Sequence, residues 1–145
     1  MLVGGQQTLK SEGYIARTVR RAGELGVTMT GRLDYDDPLL PAAFAAARVH
    51  ALPSRLETPG QSNLQAALAG CALVAGDCPP IREYLGDDGA YWCQGRSVGS
   101  IRRAVEAAWE SGPPPDLGER VLARYSWTAV AKRSLEIYEE ALARG

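Results

Sequence analysis

The chain has 145 residues, of which 46% are hydrophobic and 23% are charged, which is enough for one globular domain with a buried core and too little for two. Its formal net charge of −1 provides no broad positive field, which argues against a nucleic-acid-binding protein. The sequence contains no run of about 18 apolar residues that could cross a bilayer, and no cleavable signal sequence follows Met1.

The cysteines and the single histidine give no sign of a metal or nucleophilic site. Cys71, Cys78 and Cys93 form an odd set without the close pairing of a zinc site or an even disulfide framework, which favours a reducing cytoplasm. We expect all three to be small buried hydrophobes. His50 has no cluster of partners around it, so we expect it to be a packing residue on a strand.

Strands and helices alternate along the first half of the chain. Residues 1–5 read as a short strand, and the apolar spacing of Ile15, Val19 and Ala22 predicts an amphipathic helix over 10–25. A β-prone run at 27–30 is followed by a polar loop, in which the string DYDDP indicates a turn rather than a cation site. A small helix at 41–47 and a strand at 49–52 come next.

The same alternation continues in the second half. The pattern predicts helices at 62–69, 80–85 and 98–110, and strands at 71–75 and 90–93. Ile101, Val105 and Ala108 mark the inner face of the third of these helices. Repeated strand–helix units predict an α/β fold with a Rossmann-like parallel sheet flanked by helices.

The proline-rich stretch at 111–115 interrupts the alternation. Ser126 can cap a last helix over 126–145, and the apolar spacing assigns its inner face to Ala131, Leu135, Tyr138 and Leu142. Trp109 and Trp127 occupy helix positions that suit packing. We expect residues 1–145 to form one partial domain, with 126–145 as its C-terminal helix.

The loop between the strand at 49–52 and the helix at 62–69 lies where parallel sheets bind ligands. A turn at 60–63 would expose the N-terminus of that helix to an anionic group such as a phosphate. Glu57 could accept hydrogen bonds from sugar hydroxyls, or it could be a solvated loop residue. Gln65 could reach a ligand across the helix N-terminus, or it could be a surface residue.

Three strings, PSRLETPGQSNLQAALAGCALVAGD, REYLGDDGAYW and YSWTAVAKRSLEIYEE, resemble the group 1 (family 4) glycosyltransferases. The family segment PS-x-x-E-G-F-G-x-x-x-x-E-A-x-A-x-G-x-P-V-V-A is matched at Ser54, Glu57, Gly60, Ala66, Ala69, Gly70 and Ala75. The resemblance implies the C-terminal, nucleotide-sugar-binding domain of a GT-B fold. That domain is truncated here, because the family's first strand and its basic residues have no counterpart in the chain.

The resemblance also implies the residues of a donor site. Glu57 would contact the donor sugar as the catalytic carboxylate, and Gly31 and Arg32 would lie near the nucleobase. Gln65 stands where the family's second glutamate usually holds the ribose hydroxyls, and this departure predicts weaker nucleotide binding. The backbone segment that would meet the diphosphate, together with its neighbours, comprises Thr58, Gly60, Gln61, Ser62, Asn63 and Leu64.

The implied activity is transfer of a hexosyl unit from a nucleoside-diphosphate sugar to an acceptor hydroxyl, with retention of configuration and with neither a metal nor a cofactor implied. The isolated chain would be inactive, since the acceptor-binding half is absent. The implied partners are a nucleotide-sugar, a missing N-terminal half or a second copy of the chain. Two alternatives stay open, a degenerate nucleotide-binding or interaction module and, less favoured, an epimerase of the same fold.

Overall fold

The structure, a computed structural model, describes residues 12–58 and 60–144. The strand predicted at 1–5 lies outside the described residues. The chain divides into two compact units, Met1–Ala42 and Ala43–Gly145.

The first unit contains helix α1, Glu12–Glu24, which agrees with the predicted helix. Of its predicted inner face, Ala22 is buried, Ile15 is half-buried and Val19 is exposed. The strand predicted at 27–30 is wrong, because the described structure has only an isolated bridge at Met29. Gly26 and Gly31 flank this run with φ values of 65° and 71°, and such left-handed backbone at both ends limits its extended length.

The DYDDP loop forms the predicted turn. The backbone N–H of Asp37 donates to the carbonyl of Asp34 at 3.1 Å. The Asp37 carboxylate then accepts a hydrogen bond from the N–H of Leu39 at 2.8 Å, at the start of helix α2, Leu39–Ala46. The predicted helix at 41–47 is therefore confirmed, with its start two residues earlier.

The second unit is built on a parallel sheet of three strands. These are β1, Val49–Leu52, β2, Ala72–Gly76, and β3, Tyr91–Cys93, in the order β1-β2-β3. Ala51 is paired with Val74, and Val74 with Tyr91. β2 is buried along its whole length because it is the central strand, and no described strand pairs with the outer edge of β1.

Five helices accompany these strands: α3, Gln61–Leu68; α4, Pro79–Leu85; α5, Val98–Ser111; α6, Leu117–Tyr125; and α7, Trp127–Ala143. One face of β2, with Leu73 and Ala75, packs in a cluster with residues of α3, α4 and α6. The other face, with Ala72 and Val74, packs against α5. The predicted α/β fold with helices on both faces of a parallel sheet is confirmed.

The predicted inner face of α5 is also confirmed, since Ala108 is fully buried and Ile101 and Val105 pack against the same cluster. Helix α6 was not predicted. Its Leu117 and Val121, four residues apart, are both buried beside α3 and α4. This apolar spacing could have predicted the helix from the sequence.

Helix α7 begins where Ser126 was expected to cap it, as the Ser126 hydroxyl accepts from the N–H of Ala129 at 3.2 Å. Its predicted inner face is wrong. Against the described part of the chain, none of the 17 residues of α7 is buried, and the main contact of the helix is with α6. The exposed set includes the whole predicted face, Ala131, Leu135, Tyr138 and Leu142.

The tryptophans expected to pack are exposed as well. Trp127 lies at the exposed start of α7. Trp109 is exposed on α5, where the Arg48 guanidinium lies 4.9 Å from the ring centroid and Nε of Arg48 donates to the Trp109 carbonyl at 2.8 Å. The Trp109 ring thus contacts a cation at the surface rather than the core.

The cysteines and the histidine occupy packing positions as expected. Cys71, Cys78 and Cys93 are free thiols and all are buried. Burial raises the pKa of the Cys71 and Cys93 thiols, which keeps them protonated. His50 lies on β1 and packs edge-on against Phe44, with ring centroids 5.5 Å apart.

Candidate functional site

An open cleft of about 520 Å³ lies at the carboxyl end of β1. Its walls come from the last residue of β1, from the loop that follows and from the first turn of α3. The lining residues are Leu52, Glu57, Thr58, Gly60, Gln61 and Ser62. The structure therefore brings together five of the residues that the sequence assigned to a donor site, and it does so at the edge of the sheet where parallel strands place ligands.

Gly60 shapes the cleft because any other residue at its position would be strained and crowded. Its φ of 65° and ψ of 53° lie in the left-handed region, which favours glycine. A Cβ at this position would lie 3.0 Å from both the Asn63 amide nitrogen and Ile81 Cδ1, and 3.1 Å from Cγ of Glu57. Gly60 thus lets the loop pass directly over the core and lets Glu57 approach the start of α3.

The N-terminus of α3 faces this cleft without a capping side chain from the described residues. The N–H of Asn63 donates to the Gly60 carbonyl at 2.8 Å. The N–H groups of Gln61 and Ser62 belong to the first turn, so helix geometry gives them no intrahelical partner. Unpaired N–H groups and the positive end of the helix dipole favour an anionic group at this place.

Glu57 provides the negative charge of the cleft. It is half-buried, and it has no ion pair among the described residues. A carboxylate so close to an anion site would repel a phosphate, but it accepts hydrogen bonds from neutral hydroxyl groups. The cleft thus combines a donor region for an anion with an acceptor region for hydroxyls.

The remaining predicted residues of α3 do not line the cleft. Asn63 is 2% exposed, and neither of its amide atoms has a hydrogen-bond partner among the described residues. Leu64 packs against the core, and Gln65 is half-buried one turn into the helix. Their predicted roles stay predictions.

Gly31 and Arg32 belong to the first unit, so their predicted place near a nucleobase also stays a prediction. Gly31 has a φ of 71°. Nε of Arg32 lies 3.7 Å from a carboxylate oxygen of Asp34, and both side chains are exposed.

Sequence reasoning missed a charged cluster that follows β2. Arg82 donates to both carboxylate oxygens of Asp77, at 2.6 and 3.1 Å, and to Asp87 at 2.9 Å. The guanidinium lies 4.4 Å from the ring centroid of Trp92, and the indole N–H donates to the Asp87 carbonyl at 2.7 Å. The hydrogen bond from Arg82 lowers the pKa of Asp77. The spacing of the three charges by five residues gives no helical or strand pattern that could have revealed the cluster.

A second groove, of about 360 Å³, is less suited to an anionic ligand. It lies between the end of α3 and the start of α6 and is lined by apolar side chains, three prolines and the carboxylate of Glu119. No basic side chain lines it.

Among the described residues, no group of three or more His, Cys, Asp or Glu side chains is placed to hold a metal ion. Residues 12–58 and 60–144 also include no helix that is long and apolar enough to span a membrane.

Comparison with known proteins identifies the family. The family described as "Glycosyl transferases group 1" matches residues 1–111. The glycogen synthase of Xanthomonas axonopodis pv. citri (strain 306) is 26% identical over 149 aligned positions, which cover 98% of this chain and 30% of the relative. That of Xanthomonas euvesicatoria pv. vesicatoria (strain 85-10) is 27% identical, with 98% and 28% covered. The chain thus spans about 30% of the length of these curated relatives.

Solved structures agree in fold. Sucrose-phosphate synthase from Thermosynechococcus elongatus superposes with a TM-score of 0.76 at 22% identity, over 99% of this chain and 38% of that one. Anabaena HepE, solved with UDP and glucose, gives a TM-score of 0.78 at 17% identity, over 96% and 40%. The chain belongs to the group 1 glycosyltransferases, and its parallel sheet with flanking helices is part of the C-terminal domain of their GT-B fold.

Proposed function

We propose that this chain is the donor-binding part of a retaining glycosyltransferase, which moves a hexosyl unit from a nucleoside-diphosphate sugar to an acceptor hydroxyl. One observation carries the proposal. Gly60 opens the uncapped N-terminus of α3 into a cleft whose other wall holds the Glu57 carboxylate. The cleft therefore offers donors for a diphosphate and an acceptor for sugar hydroxyls side by side.

The diphosphate occupies the α3 end of the cleft. Its oxygens accept from the N–H groups of Gln61 and Ser62, and the helix dipole adds a favourable field that acts within the first turn. No basic side chain lines the cleft, so in this chain backbone groups alone meet the phosphate charge. Binding by the isolated chain is accordingly weak.

The sugar lies beside Glu57. A carboxylate that accepts a hydrogen bond from a hydroxyl forms a charge-assisted bond, about twice as strong as a bond between neutral groups. Proteins of the same fold support a donor made of a nucleotide and a sugar. HepE was solved with UDP and glucose, and starch synthase IV of Arabidopsis thaliana, a fold relative with a TM-score of 0.61, was solved with ADP and acarbose.

A second candidate function is a degenerate module that binds a nucleotide weakly or only mediates an interaction. Gln65 favours it, because a neutral amide stands where the family's second glutamate usually holds the ribose. The two candidates differ in whether a sugar on the nucleotide adds binding energy. A degenerate site can still hold phosphates at a helix N-terminus, whereas a donor site also recognises the sugar through Glu57.

The test is calorimetric titration of the purified chain with UDP, ADP and GDP and with their glucose conjugates. We expect at least one nucleotide-sugar to bind more tightly than its free nucleotide. In Glu57→Gln the two should bind alike, because the neutral amide loses the charge-assisted bond to the sugar while the phosphate contacts remain. In Gly60→Ala both should be weakened, because the left-handed backbone strains an alanine and its Cβ would push against Asn63, Ile81 and Glu57.

Glu119→Gln is the matched control, since it removes a carboxylate from the other groove of the same unit. It should leave every affinity unchanged. Equal affinity of the unmodified chain for a nucleotide and its sugar conjugate would favour the degenerate module. Absence of binding by all six ligands at millimolar concentration, with a folded circular dichroism spectrum, would reject both candidates for the isolated chain.

A further inference from the structure

Asn63 is a buried polar residue whose amide has no hydrogen-bond partner. It lies in the first turn of α3 and is 2% exposed, and no other polar or charged residue of the described chain is as deeply buried. Neither its amide oxygen nor its amide nitrogen forms a hydrogen bond in the described structure. A buried amide without partners destabilises a fold, because it has given up its hydrogen bonds to water. Such a group therefore indicates a use other than stability.

The amide oxygen of Asn63 faces the single histidine. Nε2 of His50 is buried and, within the described residues, also has no hydrogen-bond partner. Burial lowers the pKa of His50, and the Asn63 amide opposes this effect. An amide raises the pKa of an imidazole by presenting its oxygen, because an oxygen stabilises the protonated ring. The oxygen of Asn63 therefore points toward β1, although no hydrogen bond of ordinary length joins the two side chains.

The amide nitrogen of Asn63 points toward the wall of the cleft. A Cβ on Gly60 would lie 3.0 Å from Nδ2 of Asn63 and 3.1 Å from Cγ of Glu57. The two side chains thus approach one point beside Gly60, one from α3 and the other from the loop after β1. The Glu57 carboxylate forms no hydrogen bond with the described residues. Rotation of the Glu57 side chain therefore brings a carboxylate oxygen within reach of a buried N–H donor that has no other use.

We propose that Asn63 is a positioning residue that orients the Glu57 carboxylate toward the donor sugar, an inference that rests on the proposed function. When a sugar occupies the cleft, Nδ2 of Asn63 donates to one oxygen of Glu57, and the carboxylate accepts from a sugar hydroxyl through its other oxygen. Nε2 of His50 donates to Oδ1 of Asn63 and fixes the amide in this orientation. The hydrogen bonds run from β1 through α3 to the cleft, and each one polarises the next.

The proposal predicts opposite effects of Asn63→Leu on stability and on binding. Leucine keeps the branched shape and removes both unpartnered polar atoms, so the midpoint of urea unfolding should not fall. The preference for a nucleotide-sugar over its free nucleotide should fall about three- to tenfold, because Glu57 loses the donor that orients it. Affinity for the free nucleotide should stay unchanged, since the N–H groups of α3 remain in place. A residue that only supported the fold would lower stability and both affinities together.

The test is calorimetric titration of the 145-residue chain and its variants. The probes are UDP, ADP and GDP with their glucose conjugates, and the variants are compared with the pair for which the unmodified chain shows the largest preference. Ile81→Val is the matched control. Cδ1 of Ile81 would lie 3.0 Å from the same Cβ on Gly60, so this variant removes packing at that point but no donor. It should lower the stability and keep the preference for the sugar.

His50→Phe tests the bond from the histidine to Asn63. Phenylalanine keeps the edge-on packing against Phe44 and removes the donor to the amide oxygen. The preference for the nucleotide-sugar should fall in His50→Phe, by less than in Asn63→Leu, because the amide is still present but free to rotate. In the double variant His50→Phe should add nothing to the effect of Asn63→Leu, since the histidine acts through the amide.

The outcomes separate this inference from the proposed function. An unmodified chain that binds nucleotides and nucleotide-sugars alike would overturn the proposed function, and the role of Asn63 with it. A preference for the sugar that survives in Asn63→Leu would overturn the role of Asn63 alone. So would an Asn63→Leu variant that unfolds at a lower urea concentration and binds the free nucleotide more weakly. Additive effects of His50→Phe and Asn63→Leu would overturn the link between the two side chains.

Discussion

Gly76, the last residue of β2, lies directly against the backbone of Ser54 in the loop that follows β1. A Cβ on Gly76 would be 1.7 Å from the Ser54 carbonyl oxygen and 2.8 Å from its carbonyl carbon. No real side chain fits at such distances, so the absence of a Cβ at Gly76 determines how closely the Ser54 loop approaches the sheet. That loop continues to Glu57 and Gly60, and the contact therefore helps to set the shape of the cleft.

Replacing Gly76 by alanine should destabilise the second unit. The new methyl group meets backbone atoms rather than the end of a flexible side chain, so the Ser54 loop must move away from the sheet. We expect the free energy of unfolding to fall by about 3 kcal/mol or more, at the upper end of overpacking effects. Urea denaturation followed by circular dichroism measures this fall in the free energy of unfolding.

Gly99→Ala provides the control in the same unit. Gly99 lies in the first turn of α5, has no positive φ, and its added Cβ would only reach ordinary contact with Arg103 at 3.6 Å. We expect this variant to be as stable as the unmodified chain or slightly more stable, since alanine favours helix over glycine. If Gly76→Ala and Gly99→Ala unfolded at the same urea concentration, the contact with Ser54 would not constrain the fold.

The single histidine should make stability depend on pH. Burial lowers the pKa of His50 below its usual 6.5, and the nearby Asn63 amide opposes this shift. Below pH 6.5 the unfolded chain takes up a proton while folded His50 stays neutral, so the free energy of unfolding falls as the pH drops toward the lowered pKa. The slope is at most about 1.4 kcal/mol per pH unit. Asp77 and Asp88, whose pKa values are lowered by Arg82 and Arg120, titrate below this window.

His50→Phe should remove this dependence, because phenylalanine keeps the edge-on contact with Phe44 and does not titrate. Denaturation curves recorded between about pH 5 and pH 7.5 test the expectation. Since the chain has one histidine, its imidazole signals in an NMR titration also report the pKa directly. An imidazole that titrates at 6.5 or above would contradict the lowered pKa.

The sequence predicted most of the second unit because each pattern there has a local cause. The strand at 49–52 agrees to the residue, and the helices predicted to start at 62 and 80 begin one residue earlier, at Gln61 and Pro79. The cleft was predicted from the Glu57 to Ser62 loop because parallel strands meet at one edge. The face of α7 could not be assigned in the same way, since periodicity shows that a stripe exists but not what covers it. The Arg82 cluster depends on tertiary placement and had no local signal.

That cluster predicts a difference between arginine and lysine at position 82. Arg82 donates to two carboxylates and stacks on Trp92. Both interactions require the planar guanidinium group with its several N–H donors, which lysine lacks. We therefore expect Arg82→Lys to lower the thermal unfolding midpoint and to change the fluorescence of Trp92. Arg102→Lys is the control, because Arg102 has only an exposed pair with Glu106 on α5, and such pairs contribute little. Equal unfolding midpoints for the two variants would mean that the guanidinium contacts of Arg82 add no stability.

Gln65 offers the sharpest test of the proposed donor site. If it lies where the ribose hydroxyls bind, Gln65→Glu replaces a neutral acceptor by a carboxylate and should raise the affinity for a nucleoside diphosphate about three- to thirty-fold. Gln94→Glu makes the same charge change in the loop after β3, and we expect no gain from it. Calorimetric titration with the diphosphate that the unmodified chain binds best compares the two variants. The gain should disappear with the 2′,3′-dideoxy nucleotide, because that ligand has no ribose hydroxyls to donate. A Gln65→Glu variant that gained nothing, or that gained equally with the dideoxy nucleotide, would place the ribose away from this side chain.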